Sequence, residues 1–238
     1  MKLALQLYTI RDCYKNGEEF ISALKKVKEL GFDGVEFAGF AGLKADELKK
    51  ALNEIGLVPL SSHESPERLS GNIDEVLSYC SEIGCKNVVC AFSPAKTKED
   101  LQSLEKILKS AKEKAKPFGI NILYHNHSHE FEPMELGIPL DVIKGFCSLE
   151  LDTYWVFNSK VNPAEYIREN AEKIGLIHLK DGKNGTPCAI GEGENSISEI
   201  LDAAKECGFE WIIVENDNPV PDGIEDTRRS MKNLIGKC

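Results

Sequence analysis

The stretch Pro117-Phe118-Gly119-Ile120-Asn121-Ile122-Leu123-Tyr124-His125-Asn126-His127-Ser128-His129-Glu130-Phe131 carries both the architecture and the chemistry of this chain. Upstream, Leu101, Leu104, Ile107, Leu108 and Ala111 recur at helical spacing from about residue 98, and the pattern stops before Pro117 and Gly119. An apolar run over 120–123 then predicts a strand. It delivers the chain into three of its five histidines within five residues. Alternate residues of an extended chain share a face, so His125, His127 and His129 are expected on one side if extension persists. Each imidazole is a neutral metal ligand or a proton carrier near neutral pH, the alternative being surface histidines bonded to nearby backbone.

The same unit, helix then glycine then apolar strand then polar residue, repeats along the chain. Helices are expected over 18–30, 46–55, 73–83, 98–116, 139–146, 163–173, 197–207 and 224–235, and strands over 3–7, 34–37, 57–60, 87–90, 120–123, 149–151, 174–179 and 211–214. Glu29-Leu30-Gly31, Glu54-Ile55-Gly56, Glu82-Ile83-Gly84 and Glu206-Cys207-Gly208 mark helix ends, because glycine adopts the left-handed conformation that closes a helix. Pro163 fits a first helical position. Strands that are apolar throughout and alternate with helices require a parallel sheet covered on both faces. Eight such units in 238 residues predict one α/β domain over 1–238, a closed (β/α)8 TIM barrel. No GxGxxG follows the first strand, which argues against a dinucleotide fold. The aperiodic stretch 127–138 is expected to overhang the site.

Composition narrows the partners. Lys plus Arg total 29 against 39 Asp plus Glu, a net charge of −10, and no basic cluster offsets it, so a nucleic-acid partner is disfavoured. Cysteines at 13, 80, 85, 90, 147, 188, 207 and 238 form no CxxC pair and read as reduced thiols, most of them small core fillers. The chain opens directly on a strand pattern without a signal-peptide pattern, and no apolar run approaches 18 residues, so a soluble cytoplasmic protein with no membrane partner is expected. A homo-oligomer is compatible with the sequence.

In such a barrel the carboxyl ends of the strands form the rim where active sites are built. Read in order they give Gln6 and Tyr8, Glu36, His63, no ionisable group at the fourth strand, His125 and His127, Asp152, His178 and Lys180, and Glu215 with Asp217. Asp152, His178 and Glu215 can face one point near the axis, and His125 completes four ligands. Mixed nitrogen and oxygen donors suit a divalent cofactor such as Mn²⁺, Co²⁺, Zn²⁺ or Fe²⁺. The competing reading pairs Asp152 and Glu215 with Lys180 or Arg168.

These residues resemble the xylose-isomerase-like TIM barrels, the sugar phosphate isomerase/epimerase family related to type-IV endonucleases. The resemblance spans essentially the whole chain and rests on Gly34-Val35-Glu36, Tyr124-His125-Asn126-His127 with Glu130-Phe131, Asp152 with Trp155, His178-Leu179-Lys180-Asp181-Gly182, and Val214-Glu215. It implies a divalent metal on Asp152, His178, Glu215 and a fifth-strand residue. Epimerases of the family place a glutamate there and this chain has His125, which argues against a symmetric pair of carboxylate bases and for the branch containing inosose dehydratases and other keto-sugar enzymes.

The chemistry expected is proton abstraction next to the carbonyl of a keto-sugar or sugar phosphate, with Glu215, His125 or His127 moving the proton. Isomerisation, epimerisation and dehydration of a keto-inositol or keto-sugar differ only in where the proton returns or what leaves. Lys180 is expected on a substrate oxygen or phosphate, Glu36 and His63 on hydroxyls of the sugar or polyol, and Tyr8, Trp155 and Phe131 as walls. The rivals are a DNA-repair nuclease, which needs more ligands and a basic surface, and a sugar-binding barrel without turnover.

Overall fold

In the computed structural model, which describes residues 1–236, eight parallel strands close into a barrel. They are β1 (Lys2–Gln6), β2 (Gly34–Phe37), β3 (Val58–Glu64), β4 (Asn87–Cys90), β5 (Asn121–His125), β6 (Ser148–Asp152), β7 (Ile174–Leu179) and, after an antiparallel hairpin of β8 (Asp181–Lys183) and β9 (Thr186–Cys188), β10 (Trp211–Val214). Around the barrel each strand lies beside its neighbours in sequence, and β1 closes on β10 with Lys2 opposite Trp211. This is the expected (β/α)8 architecture.

Helix stops behave as the glycine pattern predicts. Gly56 and Gly84 end the helices Ala45–Ile55 and Ile73–Ile83 at φ of 79° and 88°, a conformation in which a Cβ would be strained. The helices lay apolar stripes on the outside of the sheet: Leu101, Leu104, Leu108, Ala111 and Ala115 of Lys98–Ala115 are all buried. Inside the barrel a separate plug of Ala4, Leu60, Val89, Leu123, Leu176 and Ile213 fills the bore, with Trp211 packed against it.

Local departures from the expected elements have local causes. Leu7 begins a 3-10 turn, Leu7–Cys13, because the Gln6 side chain accepts the Tyr8 N–H and bends the chain. The strand after Gly56 runs on to Glu64. Asp181 organises the loop after β7: its carboxylate accepts N–H groups from Gly182, Gly191, Gly193 and Asn195 at 2.8 to 3.1 Å, and a Cβ at Gly193 would collide with it. Among the described residues no helix is long and apolar enough to cross a membrane. Seven cysteines are free thiols, and Cys238 lies outside the described residues.

Candidate active site

Side chains of a strand alternate, so the residue two beyond each plug position also points into the bore, one step nearer the carboxyl end. On β5, β7 and the segment leaving β10, those residues are His125, His178 and Glu215, above Leu123, Leu176 and Ile213. Parallel register sets His125 beside Glu150 and Asp152 beside His178. Residues far apart in sequence thus meet through backbone pairing alone.

His125, Asp152, His178 and Glu215 each offer a ligand atom, and these four atoms lie within 4.8 Å of one another. The closest approaches are His178 Nδ1 to Glu215 Oε2 at 3.0 Å and His125 Nε2 to Asp152 Oδ2 at 3.7 Å. Ligands about 2.1 Å from one ion stand at most about 4.2 Å apart, so shifts of a few tenths of an ångström would seat a divalent ion. Asp152 is suited to the task by its two oxygens. Oδ1 caps the short helix Thr153–Asn158 by accepting the Tyr154 and Trp155 N–H groups, whereas the buried Oδ2 receives no hydrogen bond. A buried carboxylate oxygen without a hydrogen bond, facing imidazoles, is what a cation site presents. The ammonium of Lys180 stands 3.3 Å from that oxygen, 3.2 Å from Glu215 and in contact with Asp217, so both the ligand cluster and the anticipated Lys180 ion pairs exist together. Arg168 pairs with Glu206 instead.

Beside this group stand two fully buried carboxylates, Glu36 and Glu150, and His63, which reaches the cavity. Glu150 Oε2 is 3.1 Å from His125 Nδ1, 3.1 Å from His178 Nε2 and 2.5 Å from His63 Nε2. Glu36 meets His178 Nε2 at 2.6 Å and also receives Gln6 and Ser61. A ring nitrogen within hydrogen-bond distance of a carboxylate carries the proton: Nδ1 of His125 toward Glu150, which leaves its Nε2 turned toward Asp152, and both nitrogens of His178, whose Nδ1 proton on Glu215 an ion would displace. Burial pulls the His63 imidazole down, but Glu36 and Glu150 outweigh it and push it up to about 10. His178 is likewise held well above the usual range, burial being outweighed by Glu150, Glu36 and Glu215. Burial raises Asp152 to about 6 despite Lys180.

A cavity of about 760 Å³ opens over the ligand group, lined by Tyr8, His63, His125, His127, Trp155 and Glu215 among others. Two residues expected to touch substrate do not line it. Glu36 is fully buried with its oxygens taken by Gln6, Ser61 and the histidines, and Lys180 is buried among three carboxylates. Phe131, expected as a wall, packs toward the core with its ring 5.8 Å from Tyr166.

The three clustered histidines do not share one strand face. Extension ends at His125 because the buried carboxylate of Glu130 accepts both the Tyr124 hydroxyl, 2.5 Å, and the His127 N–H, 2.7 Å, folding the chain into a short turn. His129 then donates to the Ser93 carbonyl, while His127 remains at the cavity with Nδ1 unpartnered. Burial, and next the Lys180 charge, lower His127 to about 3.

Glu150 and Phe92 went unnoticed in the sequence, and Glu130 was read only as part of the fifth-strand motif. For Glu150 a signal exists: in Leu149-Glu150-Leu151-Asp152 it shares a face with Asp152, and a charged residue inside an apolar strand must find partners.

No curated protein sequence matches the chain. Among solved structures, a sugar phosphate isomerase/epimerase from Parabacteroides distasonis ATCC 8503 is 21% identical, covering 99% of this chain and 98% of its own with a TM-score of 0.82. IolI protein with a bound zinc atom is 18% identical with a TM-score of 0.77 over 99% and 97%. The probable 3-DHS dehydratase AsbF from Bacillus anthracis is 14% identical with a TM-score of 0.80 over the whole of both chains. At these identities the likeness is one of fold. A family profile, the xylose isomerase-like TIM barrel, matches residues 24–234, which takes in every ligand-bearing strand, and the chain therefore belongs to the xylose isomerase-like TIM-barrel family.

Proposed function

We propose that this protein is a divalent-metal-dependent isomerase or epimerase that moves a proton at the carbon next to the carbonyl of a keto-sugar. His125 Nε2, Asp152 Oδ2, His178 Nδ1 and Glu215 would hold the ion. When bound, it supplies Lewis-acid polarisation of the carbonyl and stabilises developing negative charge.

The chain's own residues divide the remaining work. Glu150 and Glu36 fix the tautomers of His125 and His178, and Asp152 is oriented by the two N–H groups it caps. Glu215 is tied to His178 and Lys180 and His125 to Glu150, so neither is free to carry a proton. The observation that carries the reading is His127: it lines the cavity beside the ligand group, and its buried Nδ1 has no partner. Lowered to about 3, it enters neutral, as a base must, and negative charge developing on substrate raises its proton affinity. The Trp155 N–H, also buried and unpartnered at the cavity wall, would donate to a substrate oxygen. An acidic lining with no lysine or arginine among the described residues argues against a phosphodiester substrate.

The test is solvent-deuterium incorporation into ketoses and keto-inositols with Mn²⁺ or Co²⁺ present. Exchange is expected for the wild type and a drop of about 100- to 10,000-fold for His127→Gln, with metal content unchanged. Exchange that survives in His127→Gln would assign the proton to another group. Loss of water instead of exchange would mark a dehydratase, cleavage of an abasic duplex a nuclease, and binding without either a sugar-binding barrel.

A further inference from the structure

The cavity is larger and differently charged than a single sugar phosphate requires. Its 760 Å³ equals about 25 waters at roughly 30 Å³ each, and a hexose of roughly a dozen non-hydrogen atoms fills less than about half of that. Part of the lining, Pro66, Phe92 and Pro94, lies outside the ligand group. Ring centres step 4.7 Å from His178 to His125, 5.1 Å to His127 and 5.4 Å to Phe92, which is 50% exposed and lines the cavity together with Pro66 and Pro94. An exposed aromatic ring in a wall that also carries two prolines suits the C–H face of a second sugar ring or an aglycone.

The charges point the same way. Among the described residues no lysine or arginine lines the cavity, whereas Glu64, Glu67, Glu215 and Asp217 do. The nearby cations are committed. Lys180 is held by Asp152, Glu215 and Asp217; Arg11 donates to the Tyr8 and Asp217 carbonyls and stacks 3.9 Å from the Tyr8 ring; Arg68 pairs with Glu64 at 2.7 Å. A phosphate monoester carries about −1.5 to −2 at neutral pH and would meet Glu67, a lining carboxylate with no ion pair among the described residues, while Lys180, Arg68 and His63 are already held by carboxylates.

We propose that the site takes an uncharged glycoside or keto-disaccharide, with its carbonyl-bearing ring at the ligand group and its second unit against Phe92, Pro66 and Pro94, and that it rejects phosphorylated sugars. This rests on the keto-sugar reading above.

D-Fructose, D-fructose 6-phosphate and isomaltulose share the fructose unit and differ only in what O6 carries, so their binding to the Mn²⁺-loaded protein, measured by calorimetry, reads the subsite directly. Isomaltulose should bind at least about tenfold tighter than fructose and the phosphate at least about tenfold weaker. Phe92→Ala should bring the isomaltulose-to-fructose ratio toward one, and Glu67→Lys should narrow the penalty on the phosphate. A phosphate ester that binds as well as fructose, a disaccharide that binds no better, or no detectable binding of the disaccharide overturns the proposal. Deuterium exchange is read separately: if none of the three exchanges, the proton-transfer reading falls while the order of affinities still decides this one.

Discussion

Two layers of the same bore differ by a single strand pleat. The lower one, Leu123, Leu176 and Ile213 with Ala4, Leu60 and Val89, is apolar; two residues on, about 6.6 Å along each strand, stand His125, His178 and Glu215. Apolar groups need only fill volume, whereas buried imidazoles and carboxylates persist only by satisfying one another. The difference teaches that this barrel keeps its mechanical support and its chemistry on the same strands yet on separate faces of the energy balance, so each can be perturbed alone.

The strongest way to break the comparison is His178→Ala. It should abolish stoichiometric metal binding and lower exchange at least about 1,000-fold, the several kcal/mol an ion contributes, while the apo fold persists; metal analysis and circular dichroism read the two separately. Its counterpart in the plug is Leu123→Ala, expected to lower unfolding stability by about 2–5 kcal/mol in denaturant titrations and to leave metal stoichiometry intact. Should Leu123→Ala strip the metal, the layers are not independent. Glu150→Gln sharpens the picture within the polar layer: metal affinity should fall about 10- to 100-fold in a chelator competition, because His125 and His178 lose the acceptor that fixes their tautomers.

The smallest effect concerns pH. His178 is raised well above the usual imidazole range and Asp152 to about 6, so in the metal-free protein their contribution to stability is present at low pH and lost as pH rises through those raised values. An ion must displace the same protons, so its affinity should climb with pH, about 1.4 kcal/mol per pH unit for each proton released. The metal-induced rise in Tm should therefore be larger at pH 8 than at pH 5. A rise that shrinks with pH would contradict the ligand assignment.

The barrel was legible because its signals are local: a glycine such as Gly84 ends a helix whatever surrounds it, and apolar runs such as Asn87 to Cys90 become strands by their own pattern. His125, Asp152, His178 and Glu215 were legible as polar residues at strand ends. What the sequence did not disclose is depth. Glu36 and Lys180 sit at strand ends as well, yet closure of the barrel buries one against His178 and folds the other onto three carboxylates. Glu150 hid inside an apolar strand, where alternation names a face without saying that the face looks into the bore. His129 leaves the shared face because Glu130 ends the extension on which that expectation depended. The hairpin Asp181–Lys183 with Thr186–Cys188 is too short, and too rich in Gly and Pro, to show any period.

The carboxylate of Glu130 that gathers the Tyr124 hydroxyl and the His127 amide has a consequence for turnover. A base carried on a slack loop would have to be immobilised at every encounter, with an entropic toll on each catalytic cycle. Clamped from below, the imidazole of His127 arrives already aimed, so the cost of its order falls once, when the polypeptide folds.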